Sequence, residues 1–398
     1  MLNWSIHGML GLSFSEIAIY LMVVTHITIV SVTVYLHRFS AHRSLLLNAP
    51  ISHFFRFWLW LTTGQVTREW TAVHRKHHAE CETKEDPHSP VRQGLTTIVW
   101  EGVETYKSAI ADQETLRRYG RGCPDDWLER NLYRHNSLGI GLMLMINLFL
   151  FGLLGVTVWA IQMIWIPFFA AGIINGVGHS VGYRNFESPD ASRNIFPLGL
   201  LIGGEELHNN HHTYPNSAKL SRKAYEFDIG WFWIKLFCFM GMASVVSQGP
   251  VVQRNQKKKN SLDSDNVWAL LNDRFNVMAT YSEEVIGPIV KAEYIKADKQ
   301  GRRLLKKARK LLAVDEILLD RGKRLKISRL LETNAKIKII YDLRLELEEI
   351  WKQRGNDVTE VLVSLKAWVE KAESKQERAL DEFVQSLSTY YMPEPNKS

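Results

Sequence analysis

Cysteine is scarce in these 398 residues. There are three, Cys81, Cys123 and Cys238, with no C-x-x-C pair among them. An odd, dispersed count excludes a disulfide framework and an iron–sulfur or rubredoxin-like module. No G-x-G-x-x-G follows a candidate strand, so the dinucleotide fingerprint is missing. No H-P-G-G marks a fused cytochrome-b-type domain. The first 36 residues hold no Lys or Arg, so a typical signal peptide with a basic n-region is not expected. Histidine is absent from the last 186 residues, although the chain has 14. That asymmetry assigns the histidines to one half of the protein.

The halves differ in other ways. The first 250 or so residues carry long apolar runs. From Val252 onward there are 29 Lys plus Arg against 23 Asp plus Glu, which accounts for nearly all of the net +7. The length allows two domains. The expectation is an all-α protein, with a membrane domain over 1–250 and a soluble helical region over 260–398.

Ser15 to Leu36 is 22 residues with one acidic residue at its edge. At 1.5 Å per residue it reaches about 33 Å, enough to cross a bilayer. Ser137 to Gly178 has no charged residue and is too long for one helix. Gly152 and Gly155 offer a turn, so spans are expected over 137–155 and 157–178. The stretch 50–66 contains Arg56 and His53 and is short for a span. It reads as an interfacial or re-entrant helix.

The histidines form boxes. HRFSAH supplies His37 and His42, HRKHH supplies His74, His77 and His78, and HNNHH supplies His208, His211 and His212. H-x-x-H-H on an α-helix places residues i, i+3 and i+4 on one face. His37 and His42, five apart, converge poorly on a continuous α-helix, so a break near Ser40 is expected. Asn175 and His179 in NGVGH add an i, i+4 pair; the amide suits holding a metal-bound water. A single H-x-x-H-H is more often a solvated helix face. Two copies plus H-x-x-x-x-H on one membrane side point to metal. Structural zinc takes four ligands, so eight histidines suit two ions. Imidazole accepts iron, copper, zinc or nickel, so spacing alone does not name the element. If the boxes share one site, a single crossing over 50–66 is forbidden, and the hairpin returns HNNHH to the same side. Arg68, Arg75, Lys76, Arg117, Arg118 and the run Arg254 to Lys259 make that side cytoplasmic.

These stretches, with EWTAVHRKHH, EDPH, NGVGHSVGYR, GEELHNNHH and YEFDIGW, resemble the membrane fatty acid desaturases over about residues 15 to 235. A histidine at position 208, rather than glutamine, resembles enzymes acting near the middle of the acyl chain. The resemblance implies a non-haem di-iron site held by His37, His42, His74, His77, His78, His179, His208, His211 and His212, with Asn175 holding a water. It implies O2 as oxidant, an external electron donor of ferredoxin/reductase or cytochrome type, and a fatty acyl-CoA or phospholipid acyl chain as substrate. Asp86 and Glu205 are expected to orient imidazoles. Trp70 and Trp100 are expected along the acyl path, and Tyr183 and Arg184 near the headgroup. Ala72 and Val73 stand where the animal acyl-CoA enzymes carry Arg-Asp, and one helix of the usual four is missing. A bacterial inner membrane is expected rather than an endoplasmic reticulum. A related di-iron hydroxylase and a non-enzymatic zinc transporter or receptor remain as alternatives.

The C-terminal half repeats apolar residues at 3 and 4 spacing and reads as a helical bundle. The basic run Arg302 to Lys310 is a candidate contact for anionic lipid. Nucleic acid is not an expected partner.

Overall fold

The computed structural model describes residues 8–255, 261–352 and 357–393. The chain divides into two units. One holds residues 1–184 and 191–249; the other holds 185–190 and 250–398. Lys257 to Lys259, within the expected basic run, lie outside the described residues.

The first unit opens with α1, Phe14–Ala41. Ser13 starts it with a capping box: its side chain accepts from the Glu16 N–H, and Glu16 accepts from the Ser13 N–H at 2.8 Å. The expected end at Leu36 is corrected. The helix continues through the first box, and Val32–Ala41 takes π geometry. Helix α2, Ala49–Thr63, starts at an Asn48 cap and stops at Gly64, whose φ of 63° suits glycine. Its 15 residues reach about 22 Å. Arg56 is buried on it, pairing with Asp126 at 2.6 Å and Glu129 at 2.8 Å. Helix α3, Thr67–Ala79, carries the second box, and α4 covers Leu95–Ala111.

The apolar hairpin is α5, Asn136–Phe151, and α6, Leu154–Val177. Gly152 turns between them at φ 62°. The arm expected over 137–155 stops at Phe151, so its 16 residues reach about 24 Å. Among the described residues, α1 and α6 are long and apolar enough to cross a membrane; α5 is apolar but shorter. The third box forms the short α7, His208–Thr213. Asp228 caps α8, Ile229–Phe239, by accepting the Trp231 N–H at 2.9 Å. Strand β1, Leu45–Leu47, pairs antiparallel with β4, Ala243–Val245, and ties the end of the first box to the stretch after α8. Between them in sequence, β2, Leu198–Gly199, and β3, Phe227–Asp228, pair in parallel.

The second unit includes α9, Ser264–Asn272; α10, Arg274–Tyr281; α11, Ala335–Lys352; α12, Val358–Glu373; and α13, Arg378–Leu387. Leu270, Leu347, Leu365 and Phe383 are fully buried in one apolar core. Tyr281 joins them, its ring 5.1 Å from that of Phe383 and its hydroxyl donating to the Ile340 carbonyl at 2.8 Å. The cations between Arg302 and Lys310 are exposed.

Candidate metal centre

The first box converges because of its π geometry. A π-helix closes i→i+5 hydrogen bonds, and the His42 N–H donates to the His37 carbonyl at 3.0 Å. Residues five apart therefore share a face, and the two rings lie 4.9 Å apart. The expected break at Ser40 does not occur, because the helix widens and continues.

The nine imidazoles gather as two adjoining groups. His37, His42, His74, His78 and His211 bring one nitrogen each within 4.8 Å of one another. His77, His179 and His212 do the same, with Cys81 Sγ among them. His208 joins this second group, its Nε2 2.9 Å from His179 Nε2 and its ring 4.4 Å from that of His212. The rings of His78 and His212 stack at 4.3 Å where the groups meet. The expectation that the three histidines of each H-x-x-H-H serve together on one helix face is corrected. On a helix, i and i+4 lie about 40° apart, and i+3 lies about 100° from i+4. Thus His74 and His78 enter the first group and His77 the second. In the third box His211 enters the first group, and His208 and His212 the second.

Carboxylates fix three of these rings. His37 Nδ1 lies 2.7 Å from Glu205, His77 Nδ1 2.8 Å from Asp86, and His179 Nδ1 2.9 Å from Glu82. A carboxylate accepts, so each Nδ1 carries the proton and each Nε2 presents a lone pair. His37 Nε2 meets His211 Nε2 at 3.0 Å, and His211 Nε2 also lies 2.8 Å from His78 Nε2. One proton cannot satisfy both approaches. Lone pairs converging in this way fit a cation, so the residues suit metal.

Burial first, then the charge of neighbouring imidazoles, pushes His42, His74, His208, His211 and His212 well below the ordinary histidine range. They are held neutral, the form that binds metal. Burial raises the Asp86 carboxyl, but the charge and hydrogen bond of His77 and the N–H groups of His88 and Glu82 outweigh it and hold Asp86 at about 2.

A cavity of about 330 Å³ reaches the groups. His37, His74 and His208 stand in its wall; Val103, Ile140, Ile166 and Ile174 make much of the rest. Asn175 and Trp70 also line it, and the Trp70 indole stacks on His74 at 4.8 Å. Trp100 does not. It is 72% exposed on α4 and packs on Phe168, so its expected place on the acyl path is corrected: it sits on the outward face of its helix. Tyr183 is tied to the third box. Its hydroxyl donates to Glu226 at 2.8 Å, and Glu226 accepts from Asn210 of the third box at 2.8 Å.

A family profile described as fatty acid desaturase matches residues 15–226, more than half of the chain. The chain belongs to the fatty acid desaturase family. It is an oxidoreductase of that family. An sn-1 stearoyl-lipid 9-desaturase of Synechocystis is 29% identical over 56% of this desaturase and 68% of its own length. An acyl-CoA 5-desaturase of Anemone leveillei is 30% identical over 56% and 70%. A delta-9 desaturase-like protein of Arabidopsis thaliana is 30% identical over 59% and 77%. A second profile, described as a transposase, matches residues 269–393. Among the described residues that stretch folds as helices with one two-residue strand, Tyr390–Tyr391. The likeness concerns that stretch alone.

Several residues escaped the sequence reading. Glu82, 2% exposed, orients His179 through one oxygen and accepts from the Ser89 hydroxyl with the other. It lies only four residues beyond His78, and a buried carboxylate next to a box was the available signal. Arg38, inside HRFSAH, is buried and donates to Asp228 at 2.9 Å, to the Ala218 carbonyl at 2.8 Å and to the Gly203 carbonyl at 3.0 Å. It ties the first box to the residue just before GEELHNNHH and to YEFDIGW. Gly178 is required by close approach: a Cβ there meets the Ile174 carbonyl at 2.2 Å and His208 Cδ2 at 3.1 Å. His88, the histidine of EDPH, lines the cavity, and burial followed by the nearby His77 pushes it down to about 3.

Proposed function

We propose that this desaturase inserts a cis double bond near the middle of an acyl chain carried on a phospholipid or on coenzyme A, with O2 as oxidant and electrons from an external ferredoxin-type or cytochrome-type donor. Two iron ions are the metals that the two imidazole groups hold in this reading. His37, His42, His74, His78 and His211 bind one; His77, His179, His208 and His212 bind the other, with Asn175 holding a water. Bound iron supplies the oxidising power needed to remove hydrogen from an unactivated methylene.

The chain's own residues do the rest. Glu205, Asp86 and Glu82 hold protons on Nδ1 and so keep Nε2 aimed inward. The isoleucine walls of the cavity bind and straighten an apolar chain and keep water from it. Trp70, stacked on His74, closes the wall beside the reacting methylene. Ala72 and Val73, both buried, offer no charge to a coenzyme A headgroup, which favours a lipid-bound acyl chain. Residues 1–250 form the membrane-bound catalytic domain, crossing through α1 and through the hairpin of α5 and α6, which returns the chain to the side it left and keeps all three boxes at the cytoplasmic face. Residues 260–398 form a helical domain outside the bilayer.

The observation that carries this reading is the convergence of nine imidazoles in two adjoining groups, with His37, His74 and His208 standing in the wall of an apolar cavity. Expression in a host lacking its own desaturases, followed by mass spectrometry of the lipids, tests it. Acyl chains lighter by two hydrogens, with the double bond near mid-chain, are expected. Chains heavier by one oxygen alone contradict desaturation and point to a hydroxylase.

A further inference from the structure

The C-terminal unit contains a cavity of about 130 Å³ beside α11. Arg344, Glu348 and Lys352 rise along one face of that helix at successive i+4 steps. Glu348 pairs with Arg344 at 3.2 Å and with Lys352 at 2.8 Å. Arg344 is 4% exposed, and its Nη2 donates to the Ala313 carbonyl at 2.9 Å, yet its Nη1 has no hydrogen-bond partner. Trp351, 8% exposed, leaves its Nε1–H without a partner. Both residues line the cavity. Buried donors left unmade are costly and rare in native folds. Two in one cavity mark a place where something accepts from them.

Both are N–H donors, one of them on a guanidinium, so what sits there accepts hydrogen bonds and suits a negative charge. Arg274, Arg344 and Lys352 face Glu187, Asp315 and Glu348. Burial and the neighbouring Asp315 carboxyl push Glu348 above the ordinary glutamate range. Glu348 is already engaged by Arg344 and Lys352, whereas Arg344 Nη1 and Trp351 Nε1 still have a proton each to give. The remaining wall is apolar, from Phe275 and Met278, with the Arg274 guanidinium 4.4 Å over the Phe275 ring. Part of the wall comes from residues 185–190, which fold with this unit although they lie in sequence between His179 and His208. The Glu187 N–H donates to the Phe275 carbonyl at 3.2 Å and fixes that segment in place.

We propose that this cavity binds a small amphipathic anion, whose carboxylate or phosphate head accepts from Arg344 Nη1 and Trp351 Nε1 and whose short apolar tail lies against Phe275 and Met278. Nothing in the proposed desaturation requires this site. It is a second ligand site, on the unit that holds no histidine.

Calorimetric titration of the full chain in detergent tests it, with sodium hexanoate, hexyl phosphate, acetate and inorganic phosphate at matched ionic strength. Saturable binding of one hexyl anion per chain, tighter than its short counterpart, is expected; the anion that binds names the head. Heats of dilution alone, from all four, leave the cavity to water and overturn the proposal. Acetate or inorganic phosphate binding as tightly as the hexyl forms overturns the amphipathic assignment. Trp351→Phe keeps the ring and removes the N–H, so it weakens binding about tenfold. Arg344→Lys weakens it further, with thermal melting as the check on folding. Unchanged affinity in a folded Trp351→Phe variant also overturns the proposal.

Discussion

The histidine-bearing unit buries His208, Asn210, Arg38, Asp228 and Glu205 near its centre, whereas the C-terminal unit buries Leu270, Leu347, Leu365 and Phe383. In the first, position is set by directed bonds. Arg38 alone joins three stretches of chain, and Asn210 answers Asn194 at 2.9 Å and Glu226 at 2.8 Å. In the second, volume and shape set position, and any aliphatic of similar size serves nearly as well. The contrast teaches that a polar core is the cost of holding several imidazoles neutral, buried and aimed. An aliphatic core has no such need.

The largest effect expected on this contrast is at His208. His208→Ala reduces new double bonds to background while the protein stays in the membrane fraction; lipid profiles of expressing cells measure this, and retained activity removes His208 from the site. Next comes a matched pair of core changes. Arg38→Met leaves Asp228 buried without its cation and costs about 3–5 kcal/mol, together with the metal. Leu347→Ala opens a hole in the other core and costs about 2–5 kcal/mol, but leaves metal content unchanged. Melting curves with metal analysis separate the two; equal metal loss in both contradicts the division of labour.

A smaller effect is expected at Glu82. Glu82→Gln weakens the hold on the Nδ1 proton of His179 and lowers metal affinity at the second group about 10–100-fold, as read by chelator competition. Unchanged affinity assigns Glu82 to packing alone. The most gradual effect is with pH. The folded form keeps His42, His74, His208, His211 and His212 below their unfolded value of about 6.5. As pH falls, the unfolded chain takes up protons first. The metal-free first unit is therefore fully stabilised above about 6.5 and loses stability below it. The second unit has no histidine and does not share this loss. Melting of the metal-free protein between pH 8 and 5 checks it; a flat or rising profile contradicts the sign.

The boxes were legible because H-x-x-H-H matches the helical period and because histidine is confined to one half of the chain. Asp86 and Glu205 were legible as carboxylates adjoining boxes. What stayed hidden depends on contacts across the chain or on unusual local geometry. Arg38 and Asp228 are 190 residues apart, and no period links them. The convergence of His37 with His42 needs a π-helix, which a 3.6-residue period cannot reveal. The split of each box between two groups depends on how α3 and α7 meet. Trp100 was misplaced because an aromatic on an apolar helix reads alike on the inward and outward faces.

Metal stoichiometry tests most directly whether each imidazole group holds its own ion. The purified full chain, reconstituted anaerobically with ferrous iron and freed of excess, is expected to retain two irons per chain. The double variant His77→Ala, His179→Ala is expected to retain one. A single iron in the unaltered protein, or two in the double variant, contradicts two separate imidazole groups each holding an ion.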